Sequence, residues 1–267
     1  MNFIRHYLLA VQFFTRLPVT GRLAGWVGFS PALLRASAAH FPGVGWIVAL
    51  VACAVYALFL MALPTGAMSP LVAAVACTGA TVLLTGGFHE DGLADLADGL
   101  GGSSDRRRAL EIMKDSRIGA FGAMALVLLL LAKVALLALL GEAGLDVALA
   151  ALAGGQVLSR FAPLVLVRAL PHVGDAAGSK SKPLADQISQ RALAVAALWC
   201  FVPLALVAWA QGAPFLIASV LACGVALGWM GRLFARRLQG FTGDGLGATQ
   251  QVCELAFYLG AAFTLSA

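Results

Sequence analysis

Long apolar runs dominate this chain, and polar residues are confined to the intervals between them. Seven stretches, 43–63, 68–88, 119–140, 145–170, 192–211, 213–234 and 245–266, reach the roughly 20 residues that an α-helix needs to cross a bilayer. The pattern predicts an all-α fold, a polytopic integral membrane bundle of about seven transmembrane helices. The last run is interrupted by Glu254 and is the weakest of the seven; an even number of crossings would make one of them re-entrant. Ahead of the spans, Phe3, Tyr7, Val11 and Phe14 recur at helical spacing up to Pro18, with Arg5, Gln12 and Arg16 elsewhere, as in an amphipathic helix lying at an interface. A cleaved signal peptide is the rival reading, opposed by Gln12 and Arg16 within the run and by the lack of a small-residue cleavage site. A second short helix is expected to start at Ser30 as cap, with Pro31 in its first turn, and to end before Pro42. The whole chain reads as one integral membrane domain: residues 1–42 form the interfacial helices and 43–267 the bundle, with cytoplasmic active-site loops at 89–118, 171–191 and 235–244.

Composition agrees, at 61% hydrophobic and 12% charged residues against about 45–50% and 25% in soluble domains. Sixteen of the eighteen Lys and Arg residues fall on alternate connections. The N-terminal arm holds Arg5, Arg16, Arg22 and Arg35, and 89–118 holds Arg106, Arg107, Arg108, Lys114 and Arg117. Arg168, Lys180, Lys182 and Arg191 follow, then Arg232, Arg236 and Arg237, while the intervening connections carry no cation. Basic loops are retained in the cytoplasm, so the N-terminus is expected inside and the C-terminus outside the inner membrane. Membrane orientation accounts for the net charge of +5 better than nucleic-acid binding does. The five cysteines are scattered within apolar stretches without metal-ligand spacing, and read as small buried hydrophobes. The Gly224/Gly228 spacing permits close helix packing and makes a homo-oligomer conceivable.

The candidate chemistry lies on the basic side. In His89-Glu90-Asp91-Gly92-Leu93-Ala94-Asp95-Leu96-Ala97-Asp98-Gly99, a helix places Asp91, Asp95 and Asp98 at i, i+4 and i+7 on one face. Three carboxylates on one stripe repel unless a cation neutralises them, so the face is either a divalent-metal site or a plain solvated surface. His89 opens this motif as a candidate acid or base. Downstream, Ser103 or Ser104 is placed to cap a helix that carries Arg106–Arg108, which reads equally as a membrane-surface anchor or a phosphate dock. Lys114 and Arg117, nearer the next membrane entry, are the better phosphate ligands. Ser179-Lys180-Ser181-Lys182 is either a flexible basic segment closing over an anionic substrate or an orientation signal. In Thr242-Gly243-Asp244-Gly245, Asp244 is a helix cap or the carboxylate that completes the acidic face from a distant stretch. Three charges fall inside spans: Arg160 and Glu254, expected to pair at similar depth, and Lys133, expected to snorkel to the far side. No Walker loop, GxSxG, zinc pattern or dinucleotide fingerprint is present.

Phe14-Thr15-Arg16-Leu17-Pro18, Phe41-Pro42-Gly43-Val44-Gly45, Thr85-Gly86-Gly87-Phe88-His89, Asp91-Gly92-Leu93-Ala94-Asp95, Asp98-Gly99, Glu111-Ile112-Met113-Lys114-Asp115-Ser116-Arg117-Ile118-Gly119 and Thr242-Gly243-Asp244 together resemble the cobalamin synthase family, the adenosylcobinamide-GDP ribazoletransferases. The resemblance spans nearly the whole chain and is most specific over His89–Gly119. Glu90 departs from it where an apolar residue is expected, and Gly245 where a Thr is expected. What it implies is the joining of adenosylcobinamide-GDP to α-ribazole or its 5′-phosphate, with release of GMP, in the presence of Mg²⁺. On that implication Asp91, Asp95, Asp98 and Asp244 hold one or two Mg²⁺ ions, Lys114 and Arg117 neutralise the departing GMP, and Lys180 and Lys182 contact substrate. Asp98, or else His89, takes the ribose hydroxyl proton. The partners implied are the two small-molecule substrates and membrane lipid. A different class of function, a transporter or corrinoid-binding scaffold, would use Lys133, Arg160 and Glu254 along a pathway near the midplane.

Overall fold

The computed structural model describes residues 2–174 and 188–265. They form twelve α-helices: α1 (Asn2–Phe14), α2 (Gly21–Val27), α3 (Pro31–Ser37), α4 (Phe41–Ala62), α5 (Met68–Thr85), α6 (Phe88–Gly102), α7 (Arg106–Ile112), α8 (Ala120–Ala143), α9 (Leu145–Ala169), α10 (Gln190–Gln211), α11 (Ala213–Arg237) and α12 (Gly243–Ala262). A 3₁₀ turn, Ala38–His40, joins α3 to α4. Among the described residues the only β pairing is an isolated bridge between His172 and Phe241.

Among the described residues, six stretches are long and apolar enough to cross a membrane: Pro31–Ala62, which runs through α3 and α4, then α5, α8, α9, α10 and α11. The seventh expected span, 245–266, forms α12 but is not one of these six. Its surroundings explain the difference. α12 packs against α6, α8, α9 and α11, so Thr249, Gln250, Gln251 and Glu254 are buried against protein. A helix sheathed by other helices needs no apolar circumference. α9 is similarly enclosed: 78% of its most apolar window is buried, against 17–39% for the other five stretches.

The start of the chain forms as its capping residues dictate. The Ser30 hydroxyl accepts a hydrogen bond from Leu33 N at 3.1 Å, and Pro31 sits in the first turn of α3. α1 buries Leu9, Ala10, Val11 and Phe14, and Phe14 stacks on Phe41 at the head of α4 with ring centroids 4.0 Å apart.

Two apolar cores lie along the bundle with a polar layer between them. One gathers Phe14, Phe41, Val48, Leu129, Leu164 and Ala248; the other gathers Ala52, Tyr56, Leu137, Leu152, Phe257 and Tyr258. Between these positions along their helices come Lys133 on α8, Gln156, Ser159 and Arg160 on α9, and Gln250, Gln251 and Glu254 on α12, all buried. Lys133 Nζ lies 3.1 Å from Glu254 Oε1 and donates to Gln251 Oε1 at 2.8 Å. Gln250 Nε2 donates to Ser159 Oγ and to Glu254 Oε2, at 3.0 and 2.9 Å. Glu254 therefore pairs with Lys133 and not with Arg160. Lys133 turns inward because a buried partner satisfies its charge better than a long reach to the surface. Arg160 reaches Glu254 only through Gln156, donating to Gln156 Oε1 at 2.7 Å while Gln156 Nε2 donates to Glu254 Oε1 at 2.8 Å.

Removing one member of a buried ion pair strands the other charge, so Lys133→Met is expected to destabilise the protein by about 3–5 kcal/mol. Lys133→Met combined with Glu254→Gln leaves no stranded charge and is expected to regain a large part of that loss. Thermal unfolding in detergent measures both, and equal instability of the single and double variants would contradict the pairing.

Candidate functional site

Gly86 and Gly87 both adopt left-handed backbone, φ 71° and 69°, where a Cβ would be strained. Two such residues end α5, and α6 starts at once after them. α6 carries Asp91 exposed, Asp95 half-buried and Asp98 buried. Its approach to α12 is closest at Gly92, where a Cβ would stand 2.7 Å from the main-chain oxygen of Asp244. That contact brings the distant Asp244 beside the α6 stripe.

Asp244 is free for this because another residue caps the helix. The Thr242 hydroxyl accepts from Gly245 N at 3.1 Å, leaving the Asp244 carboxylate in the first turn, where the helix dipole favours negative charge. Burial, followed by repulsion from Asp244, Asp91 and Asp98, pushes the Asp95 carboxyl up to about 7. Burial and repulsion from Asp91 push Asp244 up to about 6. Among the described residues no cation pairs with Asp91, Asp95 or Asp244. Nor do three His, Cys, Asp or Glu side chains there converge tightly enough to hold a metal by themselves. The donor set nevertheless suits a hard cation: Mg²⁺ is held by one or two carboxylates together with water and substrate phosphate oxygens, not by an all-protein cage.

Asp98, expected among the metal ligands and as a proton acceptor, has both oxygens engaged. Oδ2 accepts from Gly119 N at 2.7 Å and Oδ1 from Gly122 N at 2.8 Å. It thus caps the N-terminus of α8 from a neighbouring helix and locks α6 to it. His89 is also withdrawn from the acidic face. It is 2% exposed, its ring lies parallel to Phe41 at 5.6 Å, and neither ring nitrogen has a hydrogen-bond partner. Burial first, and then the charges of Arg160 and Lys133, hold its pKa well below the usual value. Glu90 faces the polar layer, where Oε1 accepts from Gln251 Nε2 at 3.0 Å.

The basic residues divide by role. Arg237 donates to the main-chain oxygens of Leu100 and Ser103, at 3.1 and 2.7 Å, and Arg106 to that of Leu238 at 2.6 Å, fastening α6 and α7 to the end of α11. Arg107 and Arg108 lie 3.9 and 3.2 Å from Glu111 on the exposed face of α7. Asp105, not Ser103 or Ser104, caps α7, accepting from Arg108 N at 2.8 Å, while the Ser103 hydroxyl accepts from Asp105 N at 3.1 Å. Lys114 and Arg117 are exposed just beyond α7. Arg117 lies 2.6 Å from Asp115, and this contact holds the Asp115 carboxyl down at about 2. Lys180 and Lys182 lie outside the described residues, but the chain entering their loop is pinned beside α12, with Val173 N donating to Phe241 O and Phe241 N to Pro171 O, both at 2.9 Å. Sequence reasoning missed the Thr242 cap and the Gln156, Gln250 and Gln251 bridges; Ser/Thr before a helical Gly run was a usable signal for the first, and nothing local signalled the second.

The profile of the cobalamin-5-phosphate synthase family matches residues 6–262. The chain is 64% identical to the adenosylcobinamide-GDP ribazoletransferase of Polaromonas naphthalenivorans over 99% of its own length and 100% of the relative's. It is 62% identical to that of Albidiferax ferrireducens, covering 99% of each chain. With that of Leptothrix cholodnii it shares 48% identity over 96% of this chain and 94% of the relative's. No solved structure matches it.

Asp98→Ala would leave the N–H groups of Gly119 and Gly122 at the start of α8, the second of them buried, without acceptors, an expected loss of about 1–3 kcal/mol in detergent unfolding, with a smaller loss for Asp98→Asn. Gly92→Ala would drive a methyl group into the Asp244 main chain and force α6 from α12. It is expected to cost about 1–3 kcal/mol, and wild-type stability would show that the helices are not so tightly apposed.

Proposed function

The chain belongs to the cobalamin-5-phosphate synthase family, and from that premise we propose that it joins adenosylcobinamide-GDP to α-ribazole or its 5′-phosphate, releasing GMP, in the late assembly of cobalamin. The observation that carries the chemical part of this reading is the placement of Asp244 beside Asp91 and Asp95, with Lys114 and Arg117 just beyond α7, where Met113 packs on Gly99 of α6. A ribose hydroxyl attacks the phosphorus that bears the cobinamide, the bond from that phosphorus to the bridging oxygen breaks, and GMP leaves with that oxygen.

Each demand of this reaction has a residue to meet it. Asp91 and Asp244 would hold Mg²⁺, which would supply neutralising charge to the diphosphate. Asp95 accepts the hydroxyl proton, being half-buried on the same helix face as Asp91 and, among the described residues, paired with no cation. Asp98 serves as a positioning residue, keeping α6 against α8 so that the acidic face has a fixed shape. Lys114 and Arg117 receive the departing phosphate, Arg117 exchanging Asp115 for it. The six apolar stretches found among the described residues support an integral membrane protein, and the basic loops favour an acidic face on the cytoplasmic side of the inner membrane.

GMP release by purified protein in detergent, with both substrates and Mg²⁺, tests the assignment. Asp91→Ala, Asp95→Ala and Asp244→Ala are each expected to lower turnover by about a hundredfold or more, and a chelator is expected to abolish it. Near-normal turnover of these variants at saturating Mg²⁺ would remove the acidic face from the mechanism.

A further inference from the structure

A cavity of about 500 Å³ opens between α1, α3, the 3₁₀ turn and the start of α10. It is separate from the acidic face, since none of Asp91, Asp95 and Asp244 lines it. Its polar side is built by His6, Arg35, His40, Ser189 and Arg191, and no carboxylate among the described residues joins them. Its other side is apolar, formed by Phe3 and by Ala192 and Val195, one turn apart on α10. His40 is 3% exposed, and its Nδ1 accepts from the indole Nε1 of Trp199 at 3.2 Å. That bond puts the imidazole proton on Nε2, which has no hydrogen-bond partner among the described residues. Arg191 makes no ion pair among them either. At the head of α10 the Ser189 hydroxyl accepts from Ala192 N at 3.1 Å, which leaves the main-chain N–H groups of Gln190 and Arg191 for another acceptor.

A buried imidazole N–H, a guanidinium and a helix N-terminus that share one cavity are all donors, and what they lack in common is an anion. Burial, followed by the charge of Arg5, lowers the pKa of His6, so at neutral pH the positive charge of the lining comes from Arg35 and Arg191. The depth of the cavity narrows the choice of anion. α4 and α10 have 22 residues each, enough to cross the hydrocarbon core by themselves, so the turn before α4 and the start of α10 stand at the level of the headgroups. Beside them α1 presents Phe3 and Ile4, 54% and 56% exposed, as an interfacial helix does. An apolar wall running down α10 from the cations suits a phosphodiester that carries acyl chains. A free phosphate has no use for that wall and would lose hydration against it. A zwitterionic lipid brings a cation of its own to a lining that already holds two.

We infer that this cavity binds the phosphate headgroup of an anionic phospholipid, held by Arg35, Arg191, His40 Nε2–H and the first N–H groups of α10, with an acyl chain along Phe3 and Val195. The site stands apart from the proposed reaction: it needs the protein in a membrane, and neither the acidic face nor a substrate. It also joins elements that otherwise meet through a few rings. Phe3 and Tyr7 of α1 stack on Trp199 of α10 at 5.8 and 5.2 Å, and Trp199 holds His40 ahead of α4. A lipid seated among them ties the N-terminal helix to the heads of two spanning helices, and its binding stabilises the folded protein.

The test is titration of delipidated full-length protein in non-ionic detergent with phosphatidylglycerol, bound lipid being counted by native mass spectrometry. An uncharged micelle has no surface potential to attract basic residues in general, so the readout reports a built site. Wild type is expected to take up one phosphatidylglycerol saturably, and to bind phosphatidylcholine and inorganic phosphate more weakly. Arg191→Gln is expected to weaken phosphatidylglycerol binding by about fivefold; Arg191 is exposed, so this variant keeps its fold. Ala192→Trp, which fills the cavity without altering its charge, is expected to abolish saturable binding. Arg22→Gln, on α2 and outside the cavity, is expected to bind as wild type does. Unchanged binding by Arg191→Gln, or an equal loss in Arg22→Gln, overturns the site. Inorganic phosphate or α-ribazole 5′-phosphate that displaces the lipid at equal concentration overturns the phospholipid as its ligand.

Discussion

The close approach of α6 and α12 at Gly92 is the contact on which the site depends. Carboxylates repel, and nothing in the charge pattern alone would bring Asp244 to the stripe of Asp91 and Asp95. Packing supplies what electrostatics opposes. With no side chain at Gly92, the α12 backbone reaches a distance that a methyl group would forbid, and the carboxylates are carried together by helices that gain more from burial than the repulsion costs. Burial first, and then that repulsion, raises Asp95 to about 7 and Asp244 to about 6.

A helix held so close must itself be anchored, and the polar layer does this for α12. Lys133, Gln156, Arg160 and Ser159 on α8 and α9 meet Gln250, Gln251 and Glu254 on α12 in one hydrogen-bonded sheet across the bundle. Apolar contacts alone permit a helix to slide or rotate; directional bonds to buried groups fix register. Glu90 extends the layer to α6 through Gln251, so the helix bearing the acidic stripe and the helix bearing Asp244 are keyed to the same network. The charges that suggested a transport pathway are consumed in this structural role, Lys133 on Glu254 and Arg160 on Gln156.

Around this centre, the loops and the short helices are tied by side chain to main chain bonds. Arg106 and Arg237 fasten α6 and α7 to the end of α11, and Asp98 fastens α6 to the start of α8. The result is a rigid floor at one end of the bundle, acidic at its centre, basic at its edge and aromatic on the side facing α1.

Much of this was legible in the sequence. Length and hydropathy established the helices, since a chain this apolar has few other ways to satisfy its backbone in lipid, and the Ser30 cap and Pro31 were readable one residue at a time. The i, i+4, i+7 spacing placed Asp91, Asp95 and Asp98 on one helix side, and the motifs from Phe14 to Asp244 carried the family. What the one-dimensional pattern left open was which polar group faces which. Asp98 and Asp95 are equivalent by spacing, yet only the position of α8 turns the first into a cap and leaves the second half-buried and unpaired. Glu254 marked a weak span by composition, and only its enclosure by α6, α8, α9 and α11 shows a helix made polar by protein neighbours. Periodicity reports the direction of a side chain about its own helix axis; its partner depends on where the other axes lie, which is settled by contacts between residues far apart in the chain.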